Sequence, residues 1–181
     1  MYDRPITNGE RVLLVDIFGW TLPYDDLVID INVEDFMGAN NSFTPAGVPL
    51  MSRMKWHGDY SANIDFNDKA TFIHEITHVW QYYHGISIGM GFVSTLVGSW
   101  LDYSSGYDYA LEPGVMDFTL YNIEQQASIV ADYWLKTNDH PTIHNVRADS
   151  DLDDYRTYIY QVANSGSPSS HPVLSQLLAP L

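Results

Sequence analysis

Apolar residues recur at helical spacing from Asp68 to His84, and this pattern constrains the fold more than any other feature of the chain. The members of the pattern are Phe72, Ile73, Ile76, Val79, Trp80 and Tyr83. Such spacing gives a helix one apolar stripe, so we predict a long amphipathic helix that packs on a core. Asn67 is its predicted N-cap, and Gly85 is the predicted stop at its C-terminus.

The same helix carries the stretch HEITHVWQ, in which two histidines lie four residues apart. Residues i and i+4 lie one above the other on a helix, so His74 and His78 can bind one metal ion. Glu75 lies about 100° around the axis from His74, where it can reach a water molecule at the metal. With zinc, Glu75 would act as the general base and pass the proton to the leaving amine of a peptide.

Catalytic zinc usually has three protein ligands, so the pattern requires a third His, Asp or Glu elsewhere. Glu124 is our candidate, because it starts a second amphipathic helix that we predict from Asn122 to Lys136. Ala127 and Ala131 are small enough to let this helix approach the first one closely. Asp132 falls two turns beyond Glu124 and could accept a hydrogen bond from a ligand imidazole.

The oxyanion that forms during amide hydrolysis needs a hydrogen-bond donor besides the metal, usually a tyrosine or a histidine. The chain offers four candidates, and the sequence does not choose among them: Tyr107, Tyr109, Tyr121 and His84.

Other histidine and acidic clusters are interpreted as structural. HPTIH, from His140 to His144, is predicted to be a loop or a helix start, because Pro141 separates the histidines. DSDLDD, from Asp149 to Asp154, lacks the Gly and the Glu that complete a calcium loop, so we interpret it as a solvated helix N-terminus. His57 stands alone, which favours a structural or surface role.

The rest of the chain mixes extended and helical patterns. Thr7 and Glu10 form a capping box, which predicts a helix over VLLVDIF that ends at Gly19, although its β-branched residues would also suit a strand. Alternating residues predict a half-buried strand at Leu27–Val33, and Val48–Trp56 is predicted to be a second extended segment. Between these two, MGANNSFTPAG is predicted to be a surface loop.

Ser150, with Asp153 and Asp154, is predicted to open a third helix, and the tail from Asn164 is predicted to be irregular. We therefore predict an α+β fold with a small N-terminal β portion and a helical metal-binding half. At 181 residues, of which 45% are hydrophobic, the chain is predicted to form a single domain over residues 1–181.

Charge and cysteine content exclude several function classes. The net charge is −15 with only 8 Lys and Arg, which argues against a nucleic-acid partner. The chain has no cysteine, so a metal must bind through His, Asp or Glu. The first ten residues lack the pattern of a signal peptide, and Gly85–Trp100 is short and glycine-rich for a transmembrane helix. We therefore expect a soluble protein and leave its compartment open.

Three sequence blocks together resemble a known family: HEITHVWQ, YDYALEP at residues 107–113 and YNIEQQASIVADYW at residues 121–134. They are similar to the zincin-like domain of bacterial Rhs-element and Vgr-related proteins associated with type VI secretion. The resemblance runs from RPIT near the N-terminus to Trp134 and does not cover the C-terminal part. Val115 departs from it, because Lys follows the Pro-Gly pair in the family pattern.

The resemblance implies a gluzincin-type zinc site, with His74, His78 and Glu124 as ligands and Glu75 as base. It also implies that Tyr107, Tyr109 and Glu112 belong to the site or to its frame. The expected function is a zinc-dependent metallopeptidase, delivered as a secreted bacterial effector or toxin. Its expected partners are a protein or peptide substrate, a cognate immunity protein and a secretion-system component. Two alternatives stay open: a catalytically inactive zincin-fold binding or structural module of a secretion system, and a metal hydrolase that acts on another amide.

Overall fold

The computed structural model describes residues 3–31, 41–62, 65–86, 106–112, 114–147 and 149–168. Within them lie helices α1 (Asn8–Phe18), α2 (Phe66–Tyr83), α3 (Ile123–Thr137) and α4 (Leu152–Ala163). The strands are β1 (Arg4–Pro5), β2 (Val28–Ile31) and β3 (Leu50–Met51), and two 3-10 helices cover Pro45–Gly47 and Phe118–Leu120. This arrangement confirms the predicted α+β class, with a small N-terminal β portion and a helical half.

The three described strands form one small sheet in the order β1-β2-β3. Strand β2 pairs antiparallel with β1 and parallel with β3. The strand predicted at Leu27–Val33 is confirmed over Val28–Ile31, and its last two residues lie outside the described ranges. The extended segment predicted at Val48–Trp56 is a strand only at Leu50–Met51, because the chain turns at once and the Lys55 amide donates to the Ser52 carbonyl.

The helices begin close to the predicted residues, and their caps explain the differences. The N-cap of α2 is Asp65, which accepts a hydrogen bond from the Asn67 amide, so the predicted cap Asn67 is wrong by two residues. An aspartate carboxylate is the stronger acceptor for the first free amides of a helix. The predicted stop at Gly85 is confirmed, since that residue has a φ of +71°.

Capping boxes fix the other helix starts. Thr7 and Glu10 form the predicted box, and the following segment is a helix rather than a strand. Asn122, where the second helix is predicted to start, is the N-cap of α3. Helix α4 starts from Asp151 and not from Ser150, because Asp151 accepts hydrogen bonds from two first-turn amides while Ser150 is buried.

Helix α2 lies against α3, α3 packs on α4, and α4 also contacts α1. The most deeply buried apolar side chains come from all four helices and from β2, and they include Leu14, Ile29, Phe72, Ile76, Ile129, Leu135 and Val162. None of the described helices is both long and apolar enough to span a membrane. The apolar stretch Gly85–Trp100 lies outside the described residues from position 87 onward.

The segment predicted to be a surface loop is partly buried where the structure describes it, at 41–47. Thr44 and Gly47 are buried, and the 3-10 helix there packs against α2. Gly47 has a φ of +78°, and a Cβ at this position would lie 2.6 Å from the Tyr82 ring. A surface-loop prediction is therefore wrong for this end of the segment, because the turn must approach the helix closely.

A buried ion pair ties the N-terminus to the segment before α2. Glu10 is 0% exposed, and its carboxylate accepts from the Arg4 guanidinium at 2.8 and 2.6 Å. The same carboxylate accepts from the backbone amides of Thr7 and Tyr60, each at 2.8 Å. Four donors on one buried carboxylate make this the main polar link between α1 and residues 57–60.

We predict that Glu10→Gln lowers the free energy of unfolding by about 2 kcal/mol, because an amide cannot accept from all four donors and leaves buried groups unpaired. Urea denaturation measures the change. Asp153→Asn, which breaks only the exposed pair of Asp153 with Arg156, is the control and should cost less than about 0.5 kcal/mol. Equal stabilities for the two variants would contradict the assignment of Glu10.

Candidate metal centre

Three ligand-type side chains converge between α2 and α3. The Nε2 atoms of His74 and His78 lie 3.2 Å apart, and Oε2 of Glu124 lies 3.1 Å from the first and 3.2 Å from the second. The structure thus brings together all three predicted metal ligands, from positions 46 and 50 residues apart in the chain. Among the described residues, these three form a group that could hold a metal ion.

The triangle of donor atoms has the dimensions of a zinc site. Zinc bonds to imidazole nitrogen and carboxylate oxygen are about 2.0 to 2.2 Å long, so at a tetrahedral angle two ligand atoms lie about 3.3 to 3.5 Å apart. The three observed separations, 3.1 to 3.2 Å, are close to that value. Two nitrogens and one oxygen are also a donor set that zinc accepts, and three protein ligands leave the fourth position open.

The local sequence explains why the side chains meet here. The i,i+4 spacing stacks His74 and His78 on the face of α2 that packs against α3. The Asn122 cap starts α3 two residues before Glu124, which places this carboxylate in the first turn, where the helix dipole favours negative charge. Ala127 and Ala131 are both buried, as expected if small residues let the two helices approach.

Gln81 orients His78 and also joins the two helices. Its Oε1 atom lies 2.7 Å from Nδ1 of His78, so Nδ1 carries the proton and Nε2 is directed to the cluster. Its Nε2 atom donates to the Ile123 carbonyl at 2.9 Å and to Oε1 of Gln126 at 3.0 Å. Gln81 was not predicted, although its position three residues after His78 on one helix was a usable signal.

Glu75 is 5% exposed and has a partner on the 3-10 segment. The Thr44 hydroxyl lies 2.7 Å from Oε2 of Glu75 and 3.1 Å from its carbonyl oxygen. This contact holds the carboxylate in one orientation. Thr44 is a second residue that sequence reasoning missed, and no spacing rule connects it to a glutamate 31 residues away.

Burial and the surrounding charges shift the acid-base properties of the centre. Burial raises the pKa of Glu75, while the imidazoles of His78 and His74 and the Thr44 hydroxyl act in the opposite direction. Burial alone would also raise the pKa of Glu124, but the charge of His78 and hydrogen bonds from both histidines hold it well below its usual range. Glu124 therefore stays ionised, as a ligand must, and Glu75 is the better proton acceptor of the two carboxylates.

The neighbouring carboxylates also shift the pKa of His78. Burial alone would lower the pKa of His78, but Glu124 and then Glu75 more than offset it and raise the pKa to about 9. The two carboxylates thus favour positive charge at this point, which is the electrostatic requirement of a cation site.

Of the four oxyanion candidates, one lies beside the cluster. The ring centroid of Tyr107 is 5.6 Å from that of His74. The side chains of the other three bond elsewhere: Tyr109 to Asp132, Tyr121 to the Ala110 carbonyl and His84 to the Thr21 carbonyl. Glu112 is exposed, and its carbonyl accepts from the Val115 amide in a turn.

The suggested bond between Asp132 and a ligand imidazole is wrong. Asp132 lies two helical turns beyond Glu124, which is about 12 Å along α3 and too far from the cluster to bond to a ligand imidazole. Within the described residues its carboxylate accepts instead from the Tyr109 hydroxyl and from the amides of residues 143–145.

HPTIH, predicted to be a loop or a helix start, is a loop, and the ring centroid of His144 lies 5.5 Å from that of Tyr107, the ring beside His74. No local signal indicated this contact. His57 pairs with Asp68 at 2.9 Å and so has the structural role that was expected of it.

No family model matches the chain. It is 32% identical to the type VI secretion system spike protein VgrG2b of Pseudomonas aeruginosa, in an alignment that covers 75% of this chain and 13% of the spike protein. The solved structure of the effector domain of P. aeruginosa VgrG2b is also 32% identical to it, with a TM-score of 0.64 and 75% of each chain covered. The chain belongs to the VgrG2b effector domain family.

The relationship to the VgrG2b effector domain supports one part of the predicted resemblance, namely the link with Vgr-related proteins of type VI secretion. The chain spans about 13% of the length of the spike protein, so it corresponds to an effector part and not to the whole of VgrG2b. The relationship also supports the fold, because the effector domain superposes over three quarters of both chains.

We predict that the purified protein binds one zinc ion and that Glu124→Gln weakens its zinc affinity more than about 100-fold, since even partners behind the ligands contribute about 10- to 100-fold. Equilibrium dialysis with metal analysis measures the affinity. His140→Ala is the control, because that ring stacks on Phe66 outside the cluster. Wild-type zinc affinity in Glu124→Gln would contradict the assignment of the third ligand.

Proposed function

We propose that this chain is a zinc-dependent metallopeptidase of the zincin type that serves as a type VI secretion effector. The observation that carries the proposal is the triangle of His74, His78 and Glu124, with donor atoms 3.1 to 3.2 Å apart and a buried glutamate, Glu75, beside it. A purely structural metal site has no need of an additional carboxylate. Glu75 projects from α2 in a different direction from the two histidines, so it is not suited to bind the ion.

Zinc at this site would supply a Lewis acid that activates water and polarises the carbonyl group of a peptide. Glu75 takes the proton of the attacking water, as its raised pKa favours, and Thr44 holds its carboxylate in place. The water oxygen bonds to the carbonyl carbon, the carbon–nitrogen bond breaks, and Glu75 delivers the proton to the leaving amine. Gln81 keeps the His78 ring in its orientation throughout.

Tyr107 is the oxyanion donor that we propose for this reaction. Its ring centroid lies 5.6 Å from that of His74, a proposed metal ligand. A donor must lie within hydrogen-bond reach of the developing charge, so ring contact with a ligand favours Tyr107 over the other three.

The effector role comes from the relatives. The spike protein VgrG2b is named as part of a type VI secretion system, and its matching region is named as an effector domain. By analogy, we propose that this chain is delivered by a secretion system, cleaves a protein or peptide substrate and has a cognate immunity protein. The formal charge of −15 suits cationic partners.

We predict that Glu75→Gln lowers kcat for cleavage of fluorescein-labelled casein by about 100-fold to 10,000-fold, the usual contribution of a general base. The zinc content should be unchanged, because Glu75 is not a ligand. Glu10→Gln is the matched control, since it makes the same change at a buried glutamate far from the centre.

Two results would overturn this assignment. Equal cleavage by wild type and Glu75→Gln would remove Glu75 as the base. Zinc binding by the wild type without cleavage of casein or of a peptide library would favour the alternative, a zincin-fold binding module.

We predict that Tyr107→Phe lowers kcat by about 100-fold with little change in KM, because the lost hydroxyl acts only on the charge of the transition state. Steady-state kinetics on the same substrate separate the two constants. Tyr121→Phe is the discriminating control and should retain the wild-type kcat, as its hydroxyl bonds to the Ala110 carbonyl. A large loss in Tyr121→Phe with none in Tyr107→Phe would reverse the assignment.

A further inference from the structure

Asp132 is a buried carboxylate that the proposed reaction does not use. It is 1% exposed and accepts four hydrogen bonds. The donors are the Tyr109 hydroxyl at 2.8 Å and three consecutive backbone amides, Ile143 at 2.8 Å, His144 at 3.0 Å and Asn145 at 3.1 Å. A buried charge is tolerated only when it is paired or fully hydrogen-bonded, and the four bonds meet this condition for Asp132. The same bonds hold the donor groups in position around the carboxylate.

The donors belong to two chain segments that lie side by side. The Tyr109 amide donates to the His144 carbonyl at 3.1 Å, and the Val146 amide donates to the Tyr109 carbonyl at 2.9 Å. The Asn145 side chain adds a bond to the Tyr155 hydroxyl at 2.6 Å. Two backbone bonds therefore hold residues 144–146 against residue 109, and Asp132 accepts hydrogen bonds from both segments.

This arrangement places His144 beside Tyr107, whose ring contacts a proposed zinc ligand. The rings of His74, Tyr107 and His144 form a row, which we call the aromatic row, with centroid separations of 5.6 and 5.5 Å. His144 is at the outer end, its side chain 31% exposed and its Nδ1 atom 3.3 Å from the Asp108 carboxylate. The inner end is a proposed zinc ligand.

The start of α3 fixes the middle of the aromatic row. The Gln125 side chain donates to the Asp108 carbonyl at 2.9 Å, and the Asn122 side chain donates to the Gly106 carbonyl at 3.3 Å. Tyr107 lies between these two anchored residues. Helix α3 thus supplies Glu124, the anchors of Tyr107 and, two turns later, the carboxylate that holds His144.

We propose that Asp132 is a positioning residue of the active site: it holds the 143–145 turn so that His144 stays against Tyr107 in the aromatic row. The proposal rests on the proposed peptidase function, because it assigns His144 and Tyr107 to the wall that a substrate meets beside the metal. Positioning of this kind affects the rate strongly, since a displacement of about 1 Å in a catalytic wall can cost about 100-fold.

The test is Asp132→Asn, examined by two independent measurements. An asparagine offers one acceptor oxygen where the carboxylate has two, so at least one of the three amides loses its partner. We expect the Hε1–Cε1 NMR signal of His144 to move towards that of an exposed histidine, because the ring leaves the shielding region of Tyr107. On casein, kcat should fall about 10- to 100-fold with KM and zinc content near wild type.

A double-mutant cycle with His144→Ala separates positioning from a general structural effect. His144→Ala keeps every backbone bond to Asp132 and removes only the ring. If Asp132 acts through His144, the double variant should have the kcat of His144→Ala alone. Glu10→Gln is the matched control for the loss of a buried carboxylate, and it should lower stability without changing kcat or the His144 signal.

Several outcomes would overturn the proposal. These are an unchanged His144 signal in Asp132→Asn, a wild-type kcat in that variant, or losses in kcat that simply multiply in the double variant. If Asp132→Asn does not fold, Asp132→Glu replaces it, because the longer side chain keeps the charge but moves both acceptor oxygens away from the three amides; a wild-type His144 signal and kcat would then overturn the proposal. If the zinc-loaded wild type cleaves nothing, the proposed function fails, while the His144 signal still decides whether Asp132 positions the ring.

Discussion

The candidate centre depends on the packing of α2 against α3. His74 and His78 follow from the helical repeat of α2, but Glu124 reaches them only because α3 lies alongside. Gln81 takes part in both halves of this arrangement, since one end of its amide orients His78 and the other donates to the carbonyl of Ile123 in the first turn of α3. A shift of one helix along the other would therefore disturb the ligand geometry and the hydrogen bonds together.

The buried side chains of Glu75, His78 and Gln126 at this contact are acceptable because each has a hydrogen-bond partner. Thr44 satisfies Glu75, Gln81 satisfies His78, and Gln126 donates to the Tyr121 carbonyl while accepting from Gln81. A buried polar group without a partner costs about 1 to 3 kcal/mol, so a paired layer behind the ligands is a condition of stability as well as of geometry. The same pairing limits the motion of the side chains that the proposed chemistry requires to be fixed.

The sequence predicted those features that depend on near neighbours. The helical period of the apolar residues located α2 and α3, and the ligand chemistry then pointed to Glu124. Contacts between distant segments left no such signal: Thr44 meets Glu75 across 31 residues, and His144 meets a ring 37 positions earlier. Asp132 was misplaced for a related reason, because a helical pattern gives the face of a residue but not how far along the neighbouring helix it lies.

Two buried carboxylates, Glu10 and Asp132, each hold an irregular segment against a helix. The described strands are only two to four residues long, so their hydrogen bonds cannot anchor the long irregular segments. Glu10 on α1 accepts from the Tyr60 amide and fixes the entry to α2, and Asp132 on α3 accepts from the amides of 143–145 and fixes the chain that follows α3. Because each carboxylate lies on a rigid helix, it holds the loop that donates to it in a fixed position relative to that helix. The loop held by Asp132 carries His144, whose ring lies 5.5 Å from that of Tyr107 beside the candidate metal centre, so in our proposal the cost of burying a charge there is matched by control over the position of His144.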